Sequence, residues 1–247
     1  MATLTLTDVE LFLDEYRISC AMSQAELGID VDVQDATTFC HDTRTGKAGL
    51  ITQTLSMRGF WDGAEINAGT NDSIDELFYS SVAREDALVT VCPEGSAVGD
   101  IAFAGLWEFA TYVPGAEVGA LLPFDVSAGA RSKLTRVTSM IDGTTQRTGT
   151  VTAGKQQLGA VAAGNRLVAV LHVYQFDGTS LDVVVRSDAN ASAGGETSRG
   201  TFAQLTGVGS GRLVVAAPIT DAYWDATLTF VGTSFTAALF LGIEATP

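Results

Sequence analysis

The sequence predicts an all-β protein in which an N-terminal β-sandwich or barrel unit with one helix is followed by a second β-sandwich. Short runs rich in β-branched residues, separated by Gly, Asp, Thr and Ser, fill most of the chain. Several of them alternate apolar and polar side chains with the two-residue period of a half-buried strand. One segment, residues 72–86, spaces its apolar residues as a helix does. At 247 residues the chain is long enough for one large core or two smaller ones. A boundary is expected across residues 137–155, "VTSMIDGTTQRTGTVTAGK", which are rich in Thr and Gly and poor in large apolar groups. It divides the chain into units 1–140 and 141–247.

The first alternating run lies in "YRISCAMSQAELGIDVDVQDATTF". Leu27, Ile29, Val31 and Val33 share one face and Asp30 and Asp32 the other, so burial of Ile29, Val31 and Val33 and solvation of the two aspartates are expected. In "GLITQTLSMRGFWD", Ile51, Leu55 and Met57 oppose Thr52, Thr54, Ser56 and Arg58. The two runs predict antiparallel strands over residues 27–39 and 50–61, joined by an exposed loop over residues 40–49 in which Gly46 and Gly49 mark the turn.

In "DSIDELFYSSVARED", Asp72 or Ser73 is placed to cap a helix whose Ile74, Leu77, Phe78 and Val82 face a sheet. Beyond it, "LVTVCPEGSAVGDIAFAGLWEFATYVPG" reads as strand, turn at Pro93 and Gly95, and strand, with Trp107, Phe109 and Tyr112 as packing residues. In the second half, "NRLVAVLHVYQFDGTSLDVVVRSD" and "WDATLTFVGTSFTAALFLGIE" predict two hairpins turning at "DGTS" and "VGTS".

Charge narrows the function classes. Residues 1–125 carry 21 acidic and 5 basic side chains, whereas residues 126–247 carry 8 acidic and 9 basic ones. The acidic half repels phosphate backbones, which argues against tight nucleic-acid binding and suits a surface past which DNA must slide. The chain has no apolar run long enough to span a bilayer, and "MATLTLTDVELFLDE" lacks the basic and hydrophobic regions of a secretion signal, so membrane insertion is not expected. Cys20, Cys40 and Cys92 have neither zinc-knuckle nor redox-pair spacing and read as reduced or buried thiols.

The residues that invite a chemical reading favour a structural one. Cys40, His41 and Asp42 are adjacent, but neighbours on an extended segment point apart, so a nucleophile and base there would need the loop to curl. His172 lies in the strand-like "VLHVYQF" with Val170 and Tyr174 on its face, which suits a packed, hydrogen-bonded side chain. Pairs such as Asp30 with Asp32 or Asp75 with Glu76 suit a solvated face. The segment "DANASAGGETSRG" offers polar ligands without the ordered spacing of a calcium-binding EF-hand loop. No catalytic residue, metal or cofactor is therefore expected. Tyr223 and Trp224, in "ITDAYWDATLTF", are the candidates for a surface-binding role.

The N-terminal half resembles the major tail, or tail tube, proteins of long-tailed double-stranded DNA phages. The resemblance covers residues 8–140 and rests on "DATTF" and "GFWD" in order around the polar loop "CHDTRTGKAGL", followed by "VTVCPEGSAVGDIAFAG". It implies a non-enzymatic virion protein, made in the host cytoplasm, that self-assembles into hexameric rings stacked as a tube. Its partners would be other phage tail proteins and passing DNA, held without tight binding. It further implies that the loop bearing Phe39, Cys40, His41, Asp42, Arg44, Lys47 and Leu50 mediates contacts between subunits or rings, and that Asp30 and Asp32 are candidates to line the lumen. Residues 141–247 exceed a minimal tube subunit and are expected to form an outward accessory β-sandwich. A decoration, baseplate or tail-tip protein that binds a host glycan or another virion protein through that unit is the alternative.

Overall fold

The computed structural model describes residues 8–37, 43, 46–62, 73–117, 121–192 and 194–246. It is an all-β fold. The N-terminal strands are β1 (Glu10–Leu13), β2 (Tyr16–Arg17), β3 (Met22–Asp35) and β4 (Gly46–Phe60). After α1 (Ile74–Ser81) come β5 (Ala87–Cys92), β6 (Ile101–Pro114), β7 (Pro123–Ala130) and β8 (Thr135–Ile141). Two short strands, β9 (Val151–Thr152) and β10 (Gln156–Gln157), precede β11 (Asn165–Asp188), β12 (Thr197–Thr201), β13 (Gly209–Ala216) and β14 (Tyr223–Ala245). Hydrogen bonds join the described strands into one continuous sheet that bends around several cores.

The expected helix forms where the sequence places it. Ser73 is the cap, its hydroxyl accepting from the Glu76 amide at 3.2 Å, and Asp75 and Glu76 sit in the first turn, where the helix dipole favours them. Ile74, Leu77 and Phe78 are buried against Phe109, Phe124 and Val126 of the sheet, whereas Val82, just past the last turn, is largely exposed. Trp107 and Phe109 are buried as expected, and Tyr112 is half-buried, its hydroxyl donating to Asp75.

The two hairpins expected in the second half do not exist. Instead β11 and β14 run unbroken through "DGTS" and "VGTS" and pair with each other, antiparallel, along nearly their whole length. The register shifts at three points between Val173 and Ser180, and Gly178 faces Gly232 there. A Cβ on Gly232 would lie 2.3 Å from the Gly178 Cα, so the crossing requires two glycines. Glycines that allow a bulge look, in sequence, like glycines that allow a turn. The bend folds the ladder over itself, so Leu167, Ala169, Leu171 and Val173 from one half share a buried cluster with Leu181, Val183 and Val185 from the other.

The opposite face of the same strand feeds a different core. Val168, Val170, His172 and Tyr174 pack with Phe12, Leu88, Cys92 and Val137, so β11 is buried on both sides. Residues 137–141, expected to open a boundary, form part of β8, which pairs with β6 on one side and β14 on the other. Of the cysteines, Cys92 is buried and Cys20 exposed, both free thiols, and Cys40 lies outside the described residues.

His172 joins the halves. Its Nδ1 lies 2.6 Å from the Asp14 carbonyl oxygen, which only accepts, so Nδ1 carries the proton. Nε2 then accepts from the Thr90 hydroxyl at 2.8 Å, and Phe12 stacks on the ring. Burial pushes the imidazole pKa down to about 4, against a smaller upward pull from the Asp14 carbonyl. The unfolded chain takes up this proton near pH 6.5 and the native chain does not, so the histidine's contribution to stability falls as pH drops from about 6.5 towards 4, by roughly 3 kcal/mol in full. The neighbouring Asp14 carboxyl has the opposite sign, because burial raises its pKa despite the Leu88 amide and Arg84 beside it. Comparing His172→Asn with the parent by chemical denaturation between pH 7.5 and 4.5 isolates the histidine term. The variant is expected to be less stable at pH 7.5 and to show a shallower loss towards pH 4.5.

Candidate functional site

The first expected hairpin does form, with β3 and β4 antiparallel, but it starts and ends differently and its burial is reversed at the tip. Alternation assigns the faces correctly: Ala25 and Leu27 of β3 pair with Met57 and Leu55 of β4, all four on the core side. Farther out, Ile29, Val31 and Val33 continue the same face, yet Ile29 is 60% and Val33 65% exposed, and Ile51 is exposed as well. The expectation that all three would be buried is therefore wrong. The strands outrun the core beneath them. Burying a side chain of this size contributes roughly 1.5–3 kcal/mol, so the uncovered strip forfeits an amount comparable with a domain's net stability.

The expected 40–49 loop is also shorter at its far end, because β4 begins at Gly46. A Cβ on Gly46 would lie 2.7 Å from Val33 Cγ1, and one on Gly49 would lie 2.9 Å from the Asp32 carbonyl oxygen, so both glycines serve close strand approach. Lys47 is thus a strand residue paired with Gln34, and Leu50 sits at the register shift, 82% exposed. Phe39, Cys40, His41, Asp42 and Arg44 lie outside the described residues.

The overhang belongs to a four-stranded sheet in the order β3, β4, β7, β6. Its face away from the core is polar and mostly acidic: Glu26, Asp30 and Asp32 on β3, Asp125 on β7 and Glu108 on β6, with Thr52, Thr54, Ser56, Arg58 and Lys47 on β4. Asp30 and Asp32 are exposed as expected. Asp30 accepts from the Val31 amide at 2.9 Å and Asp32 from Gln34 Nε2.

Both borders of this sheet are open among the described residues. β3 pairs with β4 alone. β6 pairs with β5 through residues 103–107, leaving residues 110–114 without a ladder partner on that side. Beside this second edge lies a groove of about 580 Å³ lined by Tyr79, Val82, Ala110, Tyr112 and Val113. A cleft of about 420 Å³ at the root of β3, between Leu11, Met22, Leu27, Val91 and Phe103, is lined by no titratable side chain among the described residues.

The buried carboxylates elsewhere among the described residues have cationic neighbours. Glu244 lies 2.6 Å from Arg166 and 3.5 Å from Arg212 and accepts from Thr135. Glu10 takes Arg17 in a two-point contact, and Arg84 approaches Asp14 Oδ2 to 2.7 Å, off the line of a hydrogen bond. No group of three or more His, Cys, Asp or Glu among the described residues is arranged to hold a metal. No described helix is long and apolar enough to cross a membrane.

Trp224 is not a surface residue. It is fully buried and its Nε1 donates to the Gly159 carbonyl at 2.9 Å, while Tyr223 is half-buried at the same edge. Strand alternation separates the two, and Trp224 packs into the cluster of Val183, Val185, Ala226 and Leu228, with β10 paired beside it.

No protein-family model matches this sequence, and no curated protein matches it. Among solved structures, a chain of the virion of a native gene transfer agent particle matches over 54% of this chain and 98% of its own, at 10% identity and a TM-score of 0.41. A chain from the tail of an empty particle of that kind, refined with C6 symmetry, matches over 47% and 81%, at 12% identity and a TM-score of 0.37. The Dit protein of phage SPP1, described as a paradigm of hub adsorption apparatus, matches over 96% and 99%, at 11% identity and a TM-score of 0.37.

Trp224→Ala is expected to cost about 3–5 kcal/mol in urea denaturation, the range for emptying a large aromatic site. Trp224→Phe, which loses chiefly the indole hydrogen bond and some volume, should cost less than half as much.

Proposed function

We propose that this chain is a structural, non-enzymatic subunit of a phage tail, whose copies join edge to edge into a ring. The observation that carries this reading is the four-stranded sheet that outruns its own core and, among the described residues, leaves one side of β3 and of residues 110–114 of β6 without a ladder partner. Unpaired edges with apolar flanks invite association, and closure by identical neighbours removes them. The two edges belong to different strands, β3 and β6, so the contact is head-to-tail, the kind that closes into a ring. In that ring Ile29, Val31, Val33 and Ile51 lie against the neighbouring copy. The face bearing Asp30 and Asp32 turns to the channel, where its charge keeps DNA from adhering.

The specific form of the proposal is a hexameric ring, stacked as a tail tube and carried in the virion after synthesis in the host cytoplasm. Residues 39–50 would make contacts between rings or subunits, and other tail proteins would bind the ends of the stack. Residues 141–247 would form the outward accessory unit. With Trp224 buried, the aromatic pair that suggested glycan recognition by that unit is no longer a surface feature.

The test replaces a cross-strand pair, Val31→Asp with Ile51→Asp. Both side chains are exposed in the single chain, so circular dichroism and thermal stability should change little, while light scattering and negative-stain microscopy should show loss of the rings formed by the parent. Unchanged rings in the double variant would refute the role of the overhang. A parent that stays monomeric even with tail-initiation proteins present would refute assembly itself. Stacked rings support the tube, and isolated rings support a hub or baseplate position instead.

A further inference from the structure

Lys155 lies between β9 and β10, and its ammonium is enclosed by the turn that joins β11 to β12. Nζ is 2.5 Å from Asp188 Oδ2, 2.5 Å from the Ser192 carbonyl oxygen, 3.1 Å from Glu196 Oε1 and 3.5 Å from the Asn190 carbonyl oxygen. Each carboxylate is held in place by the turn itself: Asp188 Oδ1 accepts from the Asn190 amide and Glu196 Oε1 from the Gly194 amide, both at 3.0 Å. The Lys155 side chain is only 10% exposed and that of Asp188 only 5%.

Four oxygens, from Asp188, Asn190, Ser192 and Glu196, thus converge on a single point. An ammonium has three protons, so it cannot donate a well-formed hydrogen bond to all four. Carboxylate and main-chain oxygens together, here two of each, are the kind of donor with which a loop surrounds a hard spherical cation. The EF-hand spacing is absent from this segment, but the folded turn converges its oxygens in a more compact way. What occupies the centre comes from a different part of the chain, more than thirty residues away.

We propose that the oxygens of Asp188, Asn190, Ser192 and Glu196 form a hard-cation site whose resident cation is the Lys155 ammonium, and that removing this ammonium opens the site to Ca²⁺. Two carboxylates balance the charge of a calcium ion, and water can complete its coordination. The flexible Ca²⁺ shell tolerates such a donor set, whereas Mg²⁺ demands near-octahedral geometry at shorter distances. The charge states agree. The Gly194 amide, the Glu196 amide and Lys155 hold the Glu196 carboxyl down at about 2, and Lys155 and the Asn190 amide lower that of Asp188. Burial works against the Lys155 charge but is outweighed by Asp188 and Glu196, so its pKa is raised. In the native chain the tethered ammonium clamps the segment carrying β9 and β10, both paired to β14, against the far turn.

The full chain with Lys155→Met, which retains most of the apolar stem, is compared with the parent in EDTA, in millimolar CaCl₂ and in MgCl₂. The parent is expected to melt at the same temperature in all three. The variant should melt several degrees lower in EDTA and recover most of the loss in CaCl₂ but not in MgCl₂, and adding Glu196→Gln should abolish the recovery. Terbium luminescence, sensitised by Tyr223 opposite Asp188, reports occupancy independently of stability. A lowered melting temperature with no calcium response and no terbium signal would overturn the proposal, leaving an ordinary ion pair. Terbium binding by the parent at this turn would overturn it as well, because the lysine would then not be the resident cation. If Lys155→Met fails to fold in EDTA, refolding in CaCl₂ decides: recovery supports the site and continued failure refutes it.

Discussion

Everything in this chain hangs on the pairing of β11 with β14. The two strands span 24 and 23 residues and lie antiparallel throughout, with β8, β9 and β10 along one border and β12 and β13 along the other. β11 is buried on both faces over its first half, which is unusual for an antiparallel sheet and explains its near-continuous run of Leu, Val and Ala. One face builds a core with the folded-over half of the ladder, and the other builds the core shared with β1, β5 and β6. A polar side chain on such a strand needs an internal partner. His172 meets that condition through Thr90 and the Asp14 carbonyl, and Glu244 through Arg166, Arg212 and Thr135.

The N-terminal sheet obeys the opposite rule. Its inner half is filled by Leu55, Met57, Phe109, Phe124 and the α1 side chains, but its outer half continues past them, leaving Ile29, Val33 and Ile51 exposed. A strand that keeps the alternation of a buried one while lying in the open makes physical sense when another surface completes it. The same arm carries its acidic residues on the other face, so one short hairpin presents adhesion on one side and repulsion on the other.

Local signals were legible in the sequence. The cap at Ser73, the sided alternation of β3 and β4 and the packing of Trp107 and Phe109 all follow from rules that operate within a few residues. What the sequence concealed depends on distance. Nothing near Ile29 announces that the core ends at Leu27, because a core's extent is set by strands far away in sequence. Gly178 and Gly232 carry a crossing between two strands, and each alone reads as a turn. Trp224 looks like a ligand platform until the fold places it in a core built from β11 and β14. Lys155 and the Asp188–Glu196 turn have no local pattern in common, so only the fold brings them together.

The glycine crossing in the long ladder has a mechanical meaning. Strands that pass without interruption through the glycine crossing contain no loop whose dihedrals can absorb rotation, and β8 ties the inner half of the ladder to β6. The outer half of the ladder is therefore tied to the inner half twice, through the unbroken strands and through the buried cluster the two share. A load applied at its tip reaches the inner core through both, with the register shifts at Gly178 and Gly232 lying between the two halves.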